Sequence, residues 1–145
     1  MTYLPDVNVW LALAVSAHVH HPIAREWERH VTSGELALCR FTEMGLLRLL
    51  TNARVMGDSA LTAGEAWKVR DSIFSDSRAR SMTERTGFEE NWRRISRGRG
   101  VGPNHWTDAY LIAFCATAGC RLVTFDRLMA RHGQGHCEVE LLRAI

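Results

Sequence analysis

Short strand-like segments alternate with helical ones along almost the whole of this 145-residue chain, and that alternation leaves few folds open. Residues 2–6, 35–39, 121–125 and 137–142 read as strands, being short and rich in branched or other apolar side chains. Helical patterns fill the intervals, at 7–15, 20–32, 41–51, 62–74, 88–96, 104–118 and 128–132. Thr62 and Glu65 have the spacing of a capping box, and Gly119 stands where the buried helix 104–118 should stop. Residues 76–87 carry no period and read as irregular, and the glycines and proline of 98–103 read as a loop. Strands separated by helices predict a parallel sheet covered on both faces. The expected fold class is α/β, a three-layer α/β/α sandwich with a mostly parallel sheet of four to five strands. Pro5 is awkward in such a sheet, because it has no N–H for a ladder and belongs at a strand end or edge.

The length fits one domain spanning 1–145 with one sizeable core. With 46% hydrophobic and 23% charged residues, the chain is neither disordered nor fibrous in composition. Its longest apolar runs, 7–19 and 109–120, fall short of the roughly 18–20 residues a membrane span requires. Asp6 interrupts the N-terminal region where a signal peptide would be apolar, so a cytoplasmic protein without membrane contact is expected. Cys39, Cys115, Cys120 and Cys137 form no CxxC pair and are expected to be reduced core thiols. The net charge of +2 does not by itself call for a polyanionic partner.

Four carboxylates are poorly explained by structure alone. Asp6 and Asp126 each close a predicted strand, and ligands of open parallel sheets bind beyond such carboxyl ends. Glu43 heads an inward-facing stripe with Leu46, Leu47 and Leu50, and Asp108 stands at the start of the buried helix. Singly, each has an ordinary role, as a turn former after a strand or as an acid in a helix's first turn. Together, two strand ends and two helix starts can face one crevice. Like charges held close raise each other's pKa, a conflict that a divalent cation removes. Hard oxygen donors with no soft ligand among them favour Mg²⁺ or Mn²⁺ over zinc.

Asp6-Val7-Asn8 after a strand, Glu43 leading a leucine-rich helix, the run from His105 through Asp108 to Ala113, and Leu122-Val123-Thr124-Phe125-Asp126-Arg127 come in the order seen in PIN-domain nucleases. The chain resembles that family along nearly its whole length, and more narrowly the VapC-type toxins of type II toxin–antitoxin pairs. The resemblance implies a Mg²⁺-dependent endoribonuclease, with Mn²⁺ as a possible substitute. It implies Asp6 and Asp108 as first ligands, Asp126 next, and Glu43 acting through water or on a second ion. Asn8 and Thr124 would position the acids, the alternative for each being local turn capping. A homodimer and a cognate VapB-type antitoxin are also implied.

An RNA substrate has to be gripped as well. Seven arginines lie between positions 78 and 99, against Glu84, Glu89 and Glu90, with Phe88 and Trp92 among them. Arg78, Arg80, Arg97 and Arg99 are expected to contact phosphate. The competing reading of the helix itself is a solvated face with Glu89–Arg93 and Glu90–Arg94 pairs and Trp92 in the core. The rival for the whole chain is a non-catalytic RNA-binding or regulatory PIN-like module, which would keep the basic surface and lose one or more acids. All four acids are present.

Overall fold

The computed structural model describes residues 1–98 and 101–143. Among them, five parallel strands form one sheet: β1 (Thr2–Pro5), β2 (Glu35–Leu38), β3 (Ala79–Ser81), β4 (Arg121–Thr124) and β5 (Glu138–Leu141). The spatial order is β3-β2-β1-β4-β5. The chain therefore winds outward from β1 in one direction as far as β3, then returns to the other side of β1 for β4 and β5. The seam between β1 and β4 is the topological switch point, where open parallel sheets leave a crevice.

Alternation along the strands divides the core in two. Leu4, Ala37 and Leu122 face one layer with Ala109, Ile112, Ala113, Phe114 and Cys115 of α7 (His105–Ala118) and Phe88 and Ile95 of α6 (Phe88–Arg97). Leu36, Leu38 and Val123 face the other, with Val9 and Trp10 of α1 (Val7–Ala14), Trp27 of α2 (His21–His30), Leu46 and Leu50 of α3 (Arg40–Leu50), and Ala66 of α5 (Ala63–Ile73). The three-layer α/β/α arrangement is the one expected. All four cysteines are free thiols, three of them buried. No helix among the described residues is long and apolar enough to cross a membrane.

Pro5 is accommodated by register. Asp6 N–H donates to the Val123 carbonyl on β4 at 2.9 Å, so by alternation the missing Pro5 donor faces β2. There the registered pairs end at Tyr3↔Leu36, and no ladder bond is lost. The capping box of Thr62 and Glu65 opens α5, and Gly119 closes α7 with φ +72. Two features lay outside the sequence pattern: α4 (Ala53–Met56) with the 3₁₀ turn Gly57–Ser59, and β3, which falls inside the stretch read as irregular.

Arg78 shows why β3 forms. Nε and Nη2 bind the two oxygens of Asp76 at 3.1 and 2.7 Å, Nη1 reaches the carbonyls of Glu28 at 3.0 Å and Val31 at 2.6 Å, and Nη2 also pairs with the Glu28 carboxylate. All five guanidinium hydrogens are engaged, stapling the end of α2 to the start of β3. The expected phosphate contact is thus replaced at Arg78 by an internal one, since no donor is left for RNA. Arg78→Ala should lose about 2–3 kcal/mol in urea denaturation, through stranded carbonyls and carboxylates, and leave RNA affinity unchanged.

Candidate functional site

The acids take their places from the local rules that start the neighbouring helices. Asp6 is the N-cap of α1, with extended backbone (φ −72, ψ 176), and its Oδ1 accepts from Val9 N–H at 3.0 Å. Asp126 is the N-cap of α8 (Arg127–Gly133), where one oxygen accepts from Leu128 N–H at 2.8 Å and Met129 N–H at 3.2 Å. Asp108 sits in the first turn of α7. Capping occupies Oδ1 of Asp6 and of Asp126 and leaves the second oxygen of each for other work.

Thr124 links the two caps. Its hydroxyl donates to Asp6 Oδ2 at 2.5 Å and accepts from Asp126 N–H at 3.0 Å. One buried side chain at the end of β4 therefore fixes the spacing across the switch point. Asn8 is exposed and forms no hydrogen bond to either acid among the described residues; it stands on the rim.

Asp6, Asn8, Asp108 and Asp126 line a single cleft of about 360 Å³, together with Phe41, Met44, Gly45 and Arg48 of α3 and Asn104 and Thr107 at the start of α7. The approach of α3 depends on a glycine. A Cβ at Gly45 would lie 2.6 Å from Val7 Cγ2, so a larger residue would push α3 off the first turn of α1. Asp6 is 6% exposed. Burial, with smaller contributions from the charges of Asp126 and Asp108, raises its pKa to about 6, against the lowering effect of the Thr124 and Val9 hydrogen bonds. The carboxylate is held in a place that disfavours its ionised form.

Glu43 behaves differently. Phe41, Met44, Gly45 and Arg48 turn one face of α3 to the cleft, whereas Glu43, Leu46 and Leu50 turn the opposite face to the core. Glu43 is absent from the cleft lining. Its Oε1 accepts from Arg40 at 3.0 Å and lies 3.5 Å from Nε of Arg70, which stacks over Phe74 at 4.3 Å. Arg70 and Arg48 are the site residues that sequence reasoning missed. The spacing 41, 44, 45, 48 signals a second face on α3, but nothing in the sequence ties Arg70 to a glutamate 27 positions away.

The arginines are scattered. Arg80 pairs with Glu35 at 2.9 Å yet remains 61% exposed. Arg97 is exposed at the end of α6, on the segment that leads to α7. Arg99 lies outside the described residues. On α6, Glu89 pairs with Arg93, while Arg94 turns to Asn91 instead of Glu90. Trp92 is half-buried and donates to the Trp106 carbonyl at 3.2 Å.

Among the described residues no three His, Cys, Asp or Glu side chains already converge into a cage for a metal. The shared cleft and the effect of the Asp108 and Asp126 charges on Asp6 nevertheless suit a cation that keeps much of its water. Mg²⁺ is commonly held by one or two carboxylates and not by an all-protein cage. The donor set is entirely oxygen, and the residues present fit such an ion.

A doubly wound parallel sheet with carboxylates gathered at its switch point defines the class of domain. Its sequence matches the PIN domain over residues 3–134, and the chain belongs to the PIN-domain family. It is 41% identical over 135 residues to Ribonuclease VapC41 of Mycobacterium tuberculosis, covering 90% of this chain and 92% of that one. Two solved structures share the fold. One is VapBC2 from Rickettsia felis bound to a DNA fragment from its promoter (TM-score 0.70, 12% identity, 99% of this chain and 100% of that chain). The other is Mycobacterium tuberculosis VapC20, a sarcin–ricin-loop-cleaving toxin (TM-score 0.65, 19% identity, 94% of this chain and 98% of that chain).

Proposed function

We propose that this chain is an endoribonuclease that hydrolyses RNA phosphodiester bonds with the help of Mg²⁺, and that it acts as the toxin of a type II toxin–antitoxin pair. One observation carries the chemistry: three carboxylates from the ends of β1 and β4 and the start of α7 line one cleft, where Asp6 is disfavoured as an anion. Burying an acid against other acids opposes folding unless a positive partner is part of the working state. PIN-domain VapC nucleases generally depend on a divalent metal; when bound, such an ion offsets charge on the phosphate and makes water a better nucleophile.

Asp6 and Asp108 are the ligands we assign first, and Asp126 offers the oxygen its cap leaves over. Thr124 keeps Asp6 and Asp126 at a fixed spacing, and Asn8 presents a neutral amide on the rim, where a phosphate or ribose would pass. Glu43, turned away from the cleft and held by Arg40 and Arg70, is assigned to anchoring α3 and not to the ion. Arg97, with Arg99 beyond it in sequence, belongs to the basic segment that precedes α7 and is assigned to phosphate contact; Arg80 remains exposed enough to contribute.

The partners follow from the toxin reading: RNA as substrate, a cognate VapB-type antitoxin that silences the cleft, and a second copy of the chain in a homodimer. The presence of all four acids in the sequence, with three of them lining one cleft, favours the enzyme over a non-catalytic RNA-binding module. The test is cleavage of total RNA by purified protein, mapped at the new ends. Cutting is expected with Mg²⁺ or Mn²⁺ and none in EDTA; undiminished cutting in EDTA would overturn the metal-dependent mechanism.

A further inference from the structure

A second cavity lies beside the acidic cleft. It has a volume of about 330 Å³ and opens at the carboxyl ends of β2 and β3, the same edge of the sheet that carries Asp6 and Asp126. Two neighbouring rings belong one to each hollow. Phe41 lines the cleft, Tyr110 lines the second cavity, and their centroids are 5.4 Å apart. Arg40, 74% exposed, stands at the rim of the second cavity, one residue before Phe41. A single strand of RNA crossing the cleft would therefore have a hollow for a base within about one or two nucleotides, and a cation between them for the linking phosphate.

The lining of that hollow is selective in its chemistry. Met82, Phe114 and the ring of Tyr110 supply apolar surface. Glu84 supplies a carboxylate, which can only accept hydrogen bonds. One of its oxygens takes the Tyr110 hydroxyl at 3.0 Å. No arginine or lysine neutralises Glu84 among the described residues, so its other oxygen is open and the one bound by Tyr110 keeps a second lone pair, enough for two adjacent donors. Burial and the bond to Glu84 hold the Tyr110 phenol well above its ordinary pKa, keeping it a donor to the carboxylate. Of the four RNA bases, only guanine presents two adjacent N–H donors, N1–H and N2–H₂, on its Watson–Crick edge. Adenine and cytosine each set a ring-nitrogen acceptor next to their amino group, and uracil flanks its N3–H with two carbonyls.

Resting on the ribonuclease reading of the neighbouring cleft, we propose that this second cavity is a base-binding subsite of the RNA path, that it takes guanine, and that Glu84 selects it. Glu84 is a specificity-determining residue in this scheme and takes no part in bond cleavage.

The experiment uses fluorescein-labelled oligoadenylate decamers, with or without one central guanine, titrated by anisotropy in EDTA against the wild-type protein, Glu84→Gln and Ser81→Phe. The wild type should bind the guanine-containing decamer roughly tenfold more tightly. Glu84→Gln keeps an acceptor for Tyr110 but sets a donor beside it, matching adenine, so the preference should vanish or reverse. Ser81→Phe, at an exposed position on the mouth, should abolish the preference by obstruction. Thermal melts of both variants should match the wild type, separating selectivity from folding. With Mg²⁺ added, cuts in a mixed-sequence RNA should lie at a constant distance from guanine in the wild type and lose that register in Glu84→Gln. An absent guanine preference in the wild type, or one unchanged in Glu84→Gln, overturns the subsite. RNA cleaved without regard to guanine removes the subsite alone, whereas a guanine preference in binding with no cleavage in Mg²⁺ removes the ribonuclease reading alone.

Discussion

Replacing Asp6 with asparagine is expected to abolish RNA cleavage and, in the same molecule, to make the metal-free protein more stable. Loss of a charged ligand should lower the rate by at least ~10²–10³-fold, the scale seen when one preorganised electrostatic contact is deleted. The gain in stability follows from the raised pKa of about 6 against the ordinary 3.8. Because the folded state holds the proton more tightly than the unfolded chain, this group's stabilisation is complete below pH 3.8 and is lost as the pH rises to about 6. At pH 7.5 the wild type without metal therefore carries a deficit of up to about 3 kcal/mol that an amide does not. Asparagine can still accept from Val9 N–H, and the Thr124 hydroxyl can reverse its role to meet the new N–H₂. Melts in EDTA should show the variant ahead by roughly 5–10 °C above pH 6 and level with the wild type near pH 4. Mg²⁺ should raise the wild-type midpoint and leave the variant's unmoved. A variant less stable than the wild type at pH 7.5 would mean that Asp6 matters chiefly as a charged cap.

Glu43 should respond in the opposite sense. It is 2% exposed and paired with Arg40 and Arg70. Arg70 is 27% exposed at its side chain, and its buried Nε makes no hydrogen bond and faces the Glu43 carboxylate at 3.5 Å. Glu43→Ala would strip the buried Nε side of that guanidinium of its anion, leaving only the exposed Asp71 on Nη1 at 3.1 Å, and breaking one half of such a pair is strongly destabilising. Partial exposure of Arg70 trims the loss to about 2–3 kcal/mol. In a cycle with Arg70→Met, the double variant should recover much of the stability, since the stranded charge goes with its partner. If Glu43→Ala were as stable as the wild type, the ion pair would be ornamental. Asp6 and Glu43, both buried acids, are thus expected to move stability in opposite directions because one faces like charges and the other faces cations.

The alternation of elements was legible because each of the four strands read from sequence carries its own apolar signal, and the buried helix is apolar nearly all round. The strand Ala79-Arg80-Ser81 has no such signal. It is three residues long, with two of them exposed, and it forms through pairing with β2 and the distant Arg78 clamp. Ala53–Met56 is a single turn, too short for a helical period to show. At the site, the inward direction of Glu43 could be read from Leu46 and Leu50, but not what awaited it there. For Asp6 and Asp126 the sequence allows a turn former or a ligand, and in the fold capping uses only one oxygen of each. The arginines were the least legible: a count of charges between 78 and 99 cannot tell a guanidinium with all five hydrogens spoken for from one facing water.

That Asp6 and Asp126 begin helices as well as lining the cleft has an evolutionary consequence. Asparagine starts a helix about as well as aspartate, and the codons for the two differ by a single base. With the ligand roles proposed for both, one point mutation at either position is expected to silence the toxin in a population burdened by it while keeping a folded protein, and with it any surface that a binding partner recognises.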